Sequence, residues 1–243
     1  MEHPISVWPI IGLGLIHLLG SRLAFLGGLP RSIWLSGAGG ASVAYVFLHL
    51  FPELGAGQQH IEEVHGTMGF LQHHVYLMAL VGLAVFYGLE RVAIVSRREK
   101  RVKGMEDKPA EGIFWVHIGS FAIYNGLIGY ILYQREQGPL QEMLLFSVAM
   151  ALHFIINDYG LQEHHRNIYR HFGRWILVAA LLLGWGLGFV VELPASVVIL
   201  LMAFVGGGVV LNVLKEELPE ERESRYWAFA LGAGAYSILL LSL

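Results

Sequence analysis

Apolar stretches of 17–22 residues, parted by polar segments, repeat along the whole chain. A helix of about 20 apolar residues crosses the hydrocarbon core of a bilayer. The pattern therefore predicts eight transmembrane helices, at 5–21, 33–52, 75–95, 113–133, 140–161, 175–191, 196–214 and 226–243. The first and sixth are short, which tilt or local bilayer thinning accommodates. Glycines cluster in four places, SGAGGAS at 36–42, GWGLG at 184–188, VGGGVV at 205–210 and LGAGAY at 231–236. Small residues at these points let helices approach closely and predict a tightly packed bundle.

Composition agrees with this division. Of the 243 residues, 55% are hydrophobic and 14% are charged, and the mean hydropathy is +0.56. A soluble domain carries about 25% charged residues. The expected class is all-α integral membrane, with residues 1–243 forming a single transmembrane domain. The absence of cysteine excludes disulfides and thiolate metal ligands. The opening MEHPISVWPI lacks a basic segment, so no cleaved signal peptide is expected.

Charge sets the orientation. Positive residues concentrate on the cytoplasmic side of a membrane. With eight spans and the N-terminus outside, 15 of the 16 Lys and Arg residues fall inside, and only Arg135 falls outside. A missed span would flip every later loop and scramble this partition. Both termini are thus expected outside a plasma or bacterial inner membrane. The segment 53–74 becomes an outer, acidic, His-rich loop, and 96–110 a basic cytoplasmic loop. The basic residues lie beside membrane spans, so no nucleic-acid partner is expected.

Ionisable groups inside spans are costly and mark candidate sites. His17, alone on an apolar helix, reads as a buried, hydrogen-bonded structural histidine. His49 and Glu53 lie four apart on one face, an imidazole and a carboxylate suited to zinc or a similar ion. Pro52 between them is expected to disrupt the last turn of its helix. In the fourth span His117, Phe121 and Asn125 share one stripe at four-residue spacing, with Tyr124 on nearly the same face. Asn125 near mid-span needs a partner, either another helix or a metal. The fifth span, ALHFIINDYGLQEHH at 151–165, is richest. His153 and Asn157 lie one turn apart. Asp158 is rotated about 100° from Asn157 and faces a neighbouring helix if His153 and Asn157 face the bundle. A carboxylate at that depth requires a cation, a proton or a strong donor. Glu163, His164 and His165 close the span as either a metal exit or a solvated interface. Pro-Glu pairs end the second span (HLFPEL) and the seventh (EELPEE), on opposite sides of the membrane. They fit an inverted repeat of spans 1–3 against 6–8, with 4 and 5 exchanged.

These pieces together resemble the ZIP (Zrt/Irt-like) family of divalent-metal transporters. HLFPEL at 49–54 resembles the HLLPE that ends that family's second span, and ALHFIINDYG at 151–160 resembles its fifth-span pattern ALHEIPHELGD. YNGLIG at 124–129 resembles the DGLAIG of the fourth span, and NVLKEELPE at 212–220 resembles the seventh-span ending. The resemblance covers nearly the whole chain. It implies eight helices in a 3+2+3 inverted-repeat bundle, an elevator-like or rocking path, and metal held between spans 4 and 5.

Carried over residue by residue, the family's fourth-span His-Asn pair falls on Phe121 and Ala122, and the acidic residue after it on Asn125. The first fifth-span His is His153. The Glu after it is Phe154, the ligand four past it is Asn157, and the next acidic position is Asp158. The span-6 carboxylate of some members has no counterpart here. What the resemblance implies is transport of a divalent metal into the cytoplasm by alternating access. The metal is zinc in the first instance, with iron or manganese as alternatives. It would be held by His153, Asp158, Asn157, Asn125 and His117. His49 and Glu53 would form the entrance, with Glu163, His164 and His165 at the exit. Outer histidines (His60, His65, His73 and His74) would capture the ion. The metal is cargo, and no organic cofactor is expected. The expected partners are the lipid bilayer, the metal ion and a second copy of the chain.

Two other classes stay open. Asp158 alone supplies one negative charge, and a dehydrated divalent ion needs more. The chain could therefore keep the fold with a degenerate site, as a sensor or interaction partner. A membrane metalloenzyme is the remaining alternative, since EHHRNIYRH at 163–171 superficially resembles a His box. The inner side, however, offers only His164, His165 and His171.

Overall fold

The computed structural model describes residues 4–19, 33–65, 74–102, 111–217 and 225–242. Among these residues the regular structure is helical, with no strand. In chain order it comprises α1 (Val7–Leu19), α2 (Ile33–Tyr45), α3 (Phe51–His65), α4 (His74–Val102), α5 (Glu111–Gln134), α6 (Leu140–Ile168), α7 (Arg174–Leu187), α8 (Ala195–Glu217) and α9 (Tyr226–Leu241). Four stretches are long and apolar enough to cross a membrane: His74–Ser96, Phe114–Gln137, Leu140–Gln162 and Ala195–Leu214. Helices α1 and α9 are apolar but shorter.

The second expected span does not end at Pro52. Helix α2 continues through a π-helical turn, Val46–Leu50, into α3, which runs to His65. Proline has no N–H, and its ring crowds the carbonyl four residues back. A π turn just ahead of Pro52 widens the backbone there, and Phe51 N–H reaches back to the Val46 carbonyl. Residues 53–65, expected in an outer loop, are therefore helical. Leu54, Gln58 and Ile61 form the buried face of α3. Gln58 accepts the Val75 backbone N–H at the start of α4 (3.0 Å) and donates to Glu62 (2.7 Å). A buried face of three residues, one of them an amide, is too sparse to register as an apolar stripe. Likewise 96–102, expected in the basic loop, extend α4. The rest of that loop, 103–110, lies outside the described residues. So do 66–73 with His73, the basic residues Arg22, Arg31 and Arg222, and the Pro219–Glu220 pair.

The chain forms two compact units. The first, Met1–Ala24 with Val85–Glu192, holds α1, the later part of α4, and α5 to α7. In it α5 and α7 meet through glycines. A Cβ at Gly129 would strike the Leu181 carbonyl, and one at Gly184 would strike the Gly126 backbone. Helix α1 packs on α6 and α7 and is held at both ends. Glu136 accepts from the Ile5 N–H and the Ser6 hydroxyl before its first turn. Arg174 donates to the Leu18 carbonyl in its last turn (3.3 Å). An anion at a helix start and a cation at its end both complement the helix dipole. A π-helical segment, Tyr169–Gly173, joins α6 to α7. Tyr169 packs there in a buried cluster with Phe114, Ile118, Leu161 and Leu177.

The second unit, Phe25–Ala84 with Leu193–Leu243, holds α2, α3, the first part of α4, α8 and α9. Helices α2 and α9 meet where a Cβ at Gly40 would strike the Phe229 carbonyl and one at Gly232 the Gly37 carbonyl. Helices α4 and α8 meet in the same way, Gly82 against Phe204 and Gly207 against Ala79. The glycine clusters thus serve close backbone packing in both units.

Candidate functional site

The polar centre of the first unit is built around His17. Helix α1 presents it from an apolar helix, and α6 presents Asp158. The two side chains are essentially inaccessible, 1% and 0% exposed. His17 Nδ1 lies 2.9 Å from Asp158 Oδ1 and 3.0 Å from Oδ2. On the other side of the ring, Nε2 lies 2.8 Å from Asn125 Oδ1 on α5. The amide orientation is fixed, because Asn125 Nδ2 donates to the Phe121 carbonyl one turn earlier (2.8 Å). Both ring nitrogens of His17 therefore face acceptors, and a histidine whose two nitrogens both donate is an imidazolium. Asp158 and His17 form a buried ion pair with no net charge. Phe154, one turn before Asp158, lays its ring against His17 with centroids 4.4 Å apart.

Of the residues expected to bind metal, the structure brings Asn125 and Asp158 together through His17. His153 and Asn157 form a separate pair along α6, with Nε2 and Nδ2 3.0 Å apart. His153 is buried and lies 5.4 Å, ring to ring, from Tyr124 on α5. His117 points elsewhere, to the Leu89 carbonyl on α4 (2.7 Å). Phe121, at a ligand position of the resemblance, packs against Phe86 and against the cluster containing Tyr169. Phe154, where the family has a carboxylate, is fully buried. Aromatic packing thus occupies two positions at which the resemblance implies ligands.

Tyr169 closes the centre on the side of the α6–α7 junction. Its hydroxyl is buried and lies close to Asp158. Burial first, and the negative Asp158 second, push its phenol above the usual range, so it stays protonated.

The second unit carries the expected entrance pair. His49 sits in the π-helical turn, and Glu53 lies 3.9 Å from its Nε2. Both are partly exposed. Of the expected exit residues, Glu163, His164 and His165 lie on the helical backbone of α6, and their side chains are outside the described ones. Among the described residues, no group of three or more His, Cys, Asp or Glu is placed to hold a metal ion.

The residue that sequence reasoning undervalued is His17. Its burial and hydrogen bonding match the structural role expected of it, but its partners are two of the candidate ligands. Electroneutrality was the available signal. A mid-span carboxylate must find a cation, and few spans contain one. Compared with protein-family models and with curated proteins, the sequence matches none.

Proposed function

We propose that the chain is a membrane carrier of ZIP-like architecture that moves a divalent metal ion, zinc in the first instance, into the cell by alternating access. The observation that carries this reading is Asp158. It is a fully buried carboxylate on a membrane-length helix, bonded to His17 of α1, whose other nitrogen bonds Asn125 of α5. Intramembrane carboxylates of this kind mark ion pathways. In this reading Asp158 is the anionic ligand, His153 the neutral nitrogen ligand, and Asn125 and Asn157 supply oxygen. The entrance is His49 with Glu53, and the exit lies beside Glu163, His164 and His165.

The division into units supports the inverted repeat. Under the pairing of spans 1 with 6, 2 with 7, 3 with 8 and 4 with 5, the first unit (spans 1, 4, 5, 6) maps onto itself. So does the second (2, 3, 7, 8), to which α2, α4, α8 and α9 contribute. The glycine contacts of α2 with α9 then mirror those of α8 with α4.

Aromatic placement supports the topology. Exposed tryptophans begin α2 (Trp34), α5 (Trp115), α7 (Trp175) and α9 (Trp227). These are the even-numbered spans, so all four lie at one interface if every span crosses, as an aromatic belt requires. The absence of native cysteine makes this testable. A cysteine introduced at each of the four positions is expected to react only with a reagent applied from the cytoplasmic side. Labelling split between the two sides would sink the eight-span topology.

Reconstituted into liposomes, the protein is expected to take up zinc, and His153→Ala to abolish that uptake. Undiminished uptake by the variant removes His153 from the site. One observation favours a second reading, a ZIP-like fold that no longer transports. His17, Asp158, Asn125, His153, Asn157 and His117 are all already engaged by protein partners. A folded protein that neither takes up zinc nor binds it by calorimetry would establish that alternative.

A further inference from the structure

Asp158 and Asn125 are the positions that a cation between α5 and α6 would use, and a side chain of this chain already sits between them. His17 Nδ1 is within 3.0 Å of both carboxylate oxygens and takes the place a metal bridging them would occupy. Its Nε2 takes the Asn125 carbonyl oxygen, the one amide atom able to coordinate a cation. The ring is buried and packs, tilted by 34°, against Phe154 at a centroid distance of 4.4 Å.

We propose that His17 is a tethered occupant of the cation site, a side chain that must swing out before a metal ion can reach Asp158 and Asn125. The proposal rests on the carrier reading for the nature of the cargo.

Two features define how the ring would leave. Helix α1 is clamped by Glu136 at one end and Arg174 at the other, so displacement falls to the side chain rather than to the helix. Gly14 precedes His17 by one turn, and a helical side chain leans back over that turn. A Cβ there would meet only Val178 Cγ1, at 3.8 Å. Once bared, Asp158 keeps a nearby donor in the buried Tyr169 hydroxyl. His153, one turn from Asn157, supplies a nitrogen from the same helix.

The occupant reading and a ligand reading of His17 predict opposite signs. A site open for only a fraction of the time has its affinity reduced by that fraction, so removing the occupant by His17→Ala should tighten zinc binding by about tenfold or more. A ligand, once removed, should weaken it. Zinc is titrated calorimetrically into the full chain in lipid nanodiscs, wild type against His17→Ala. Weaker or unchanged binding by the variant overturns the proposal. His17→Lys guards against a variant that does not fold, because it keeps a tethered cation opposite Asp158. It is expected to fold and to bind no zinc, and binding equal to wild type overturns the proposal equally. Zinc uptake by the wild type separates the two readings. If uptake is absent while His17→Ala binds zinc, the carrier reading falls and the occupant stands. If the wild type transports while His17→Ala binds more weakly, the occupant falls and the carrier stands. Zinc bound by neither protein sinks both.

Discussion

Asp158→Ala is expected to destabilise the protein by about 3–5 kcal/mol, the cost of leaving one partner of a buried ion pair alone. The imidazolium of His17, 1% exposed, would lose the carboxylate that compensates it and keep only the Asn125 oxygen. The same physics predicts that replacing both partners is milder than replacing one. A well-packed apolar pair of similar volume avoids desolvating two charges, and such replacements are often neutral or stabilising. His17→Phe with Asp158→Leu should therefore recover most of the loss, the new ring lying where the imidazole now faces Phe154. Denaturant unfolding of the single and double variants in detergent measures both. A double variant as unstable as Asp158→Ala, or a single variant within about 1 kcal/mol of wild type, would show that the pair is not the source of the effect.

Gly184→Ala is expected to cost about 1–3 kcal/mol, the range for overpacking a close-packed interior. The new methyl would fall on the Gly126 backbone of α5, and backbone cannot rotate aside as a side chain can. Gly186→Ala, two residues along the same helix, meets nothing within 4 Å. It should be neutral or stabilising by up to about 1 kcal/mol, because alanine favours the helix. Paired unfolding curves decide the matter. Equal effects at the two positions would mean that the close approach of α5 and α7 does not restrict position 184.

The apolar runs announced nearly every helix because a 3.6-residue repeat of long, continuous hydrophobicity depends only on local sequence. Boundaries were less accessible where polar residues are helical for tertiary reasons. Helix α3 continues past Pro52 because a π turn absorbs the proline and because Gln58 caps α4. Neither device leaves an apolar signature. At the site, Asn125 and Asp158 were found by the cost of burying polar groups in a span. That Asp158 would face a neighbouring helix followed from helical geometry, and α1 is that helix. The identity of its partner was out of reach because His17 is 141 positions away, and its helix carries no other polar group in contact with the site. Phe121 and Phe154 could be recognised as departures from the ligand pattern. That Phe154 would pack on a histidine 137 positions earlier could not.

The same separation has a consequence for biogenesis. Spans enter the bilayer in chain order, and α1 is made long before α6. During that interval His17 stands in a short apolar helix with no carboxylate opposite it, and a charged imidazole there would be expensive. Neither Asp158 nor its contact with His17 exists until α6 has been made, so the polar centre of the first unit closes late in the assembly of the chain.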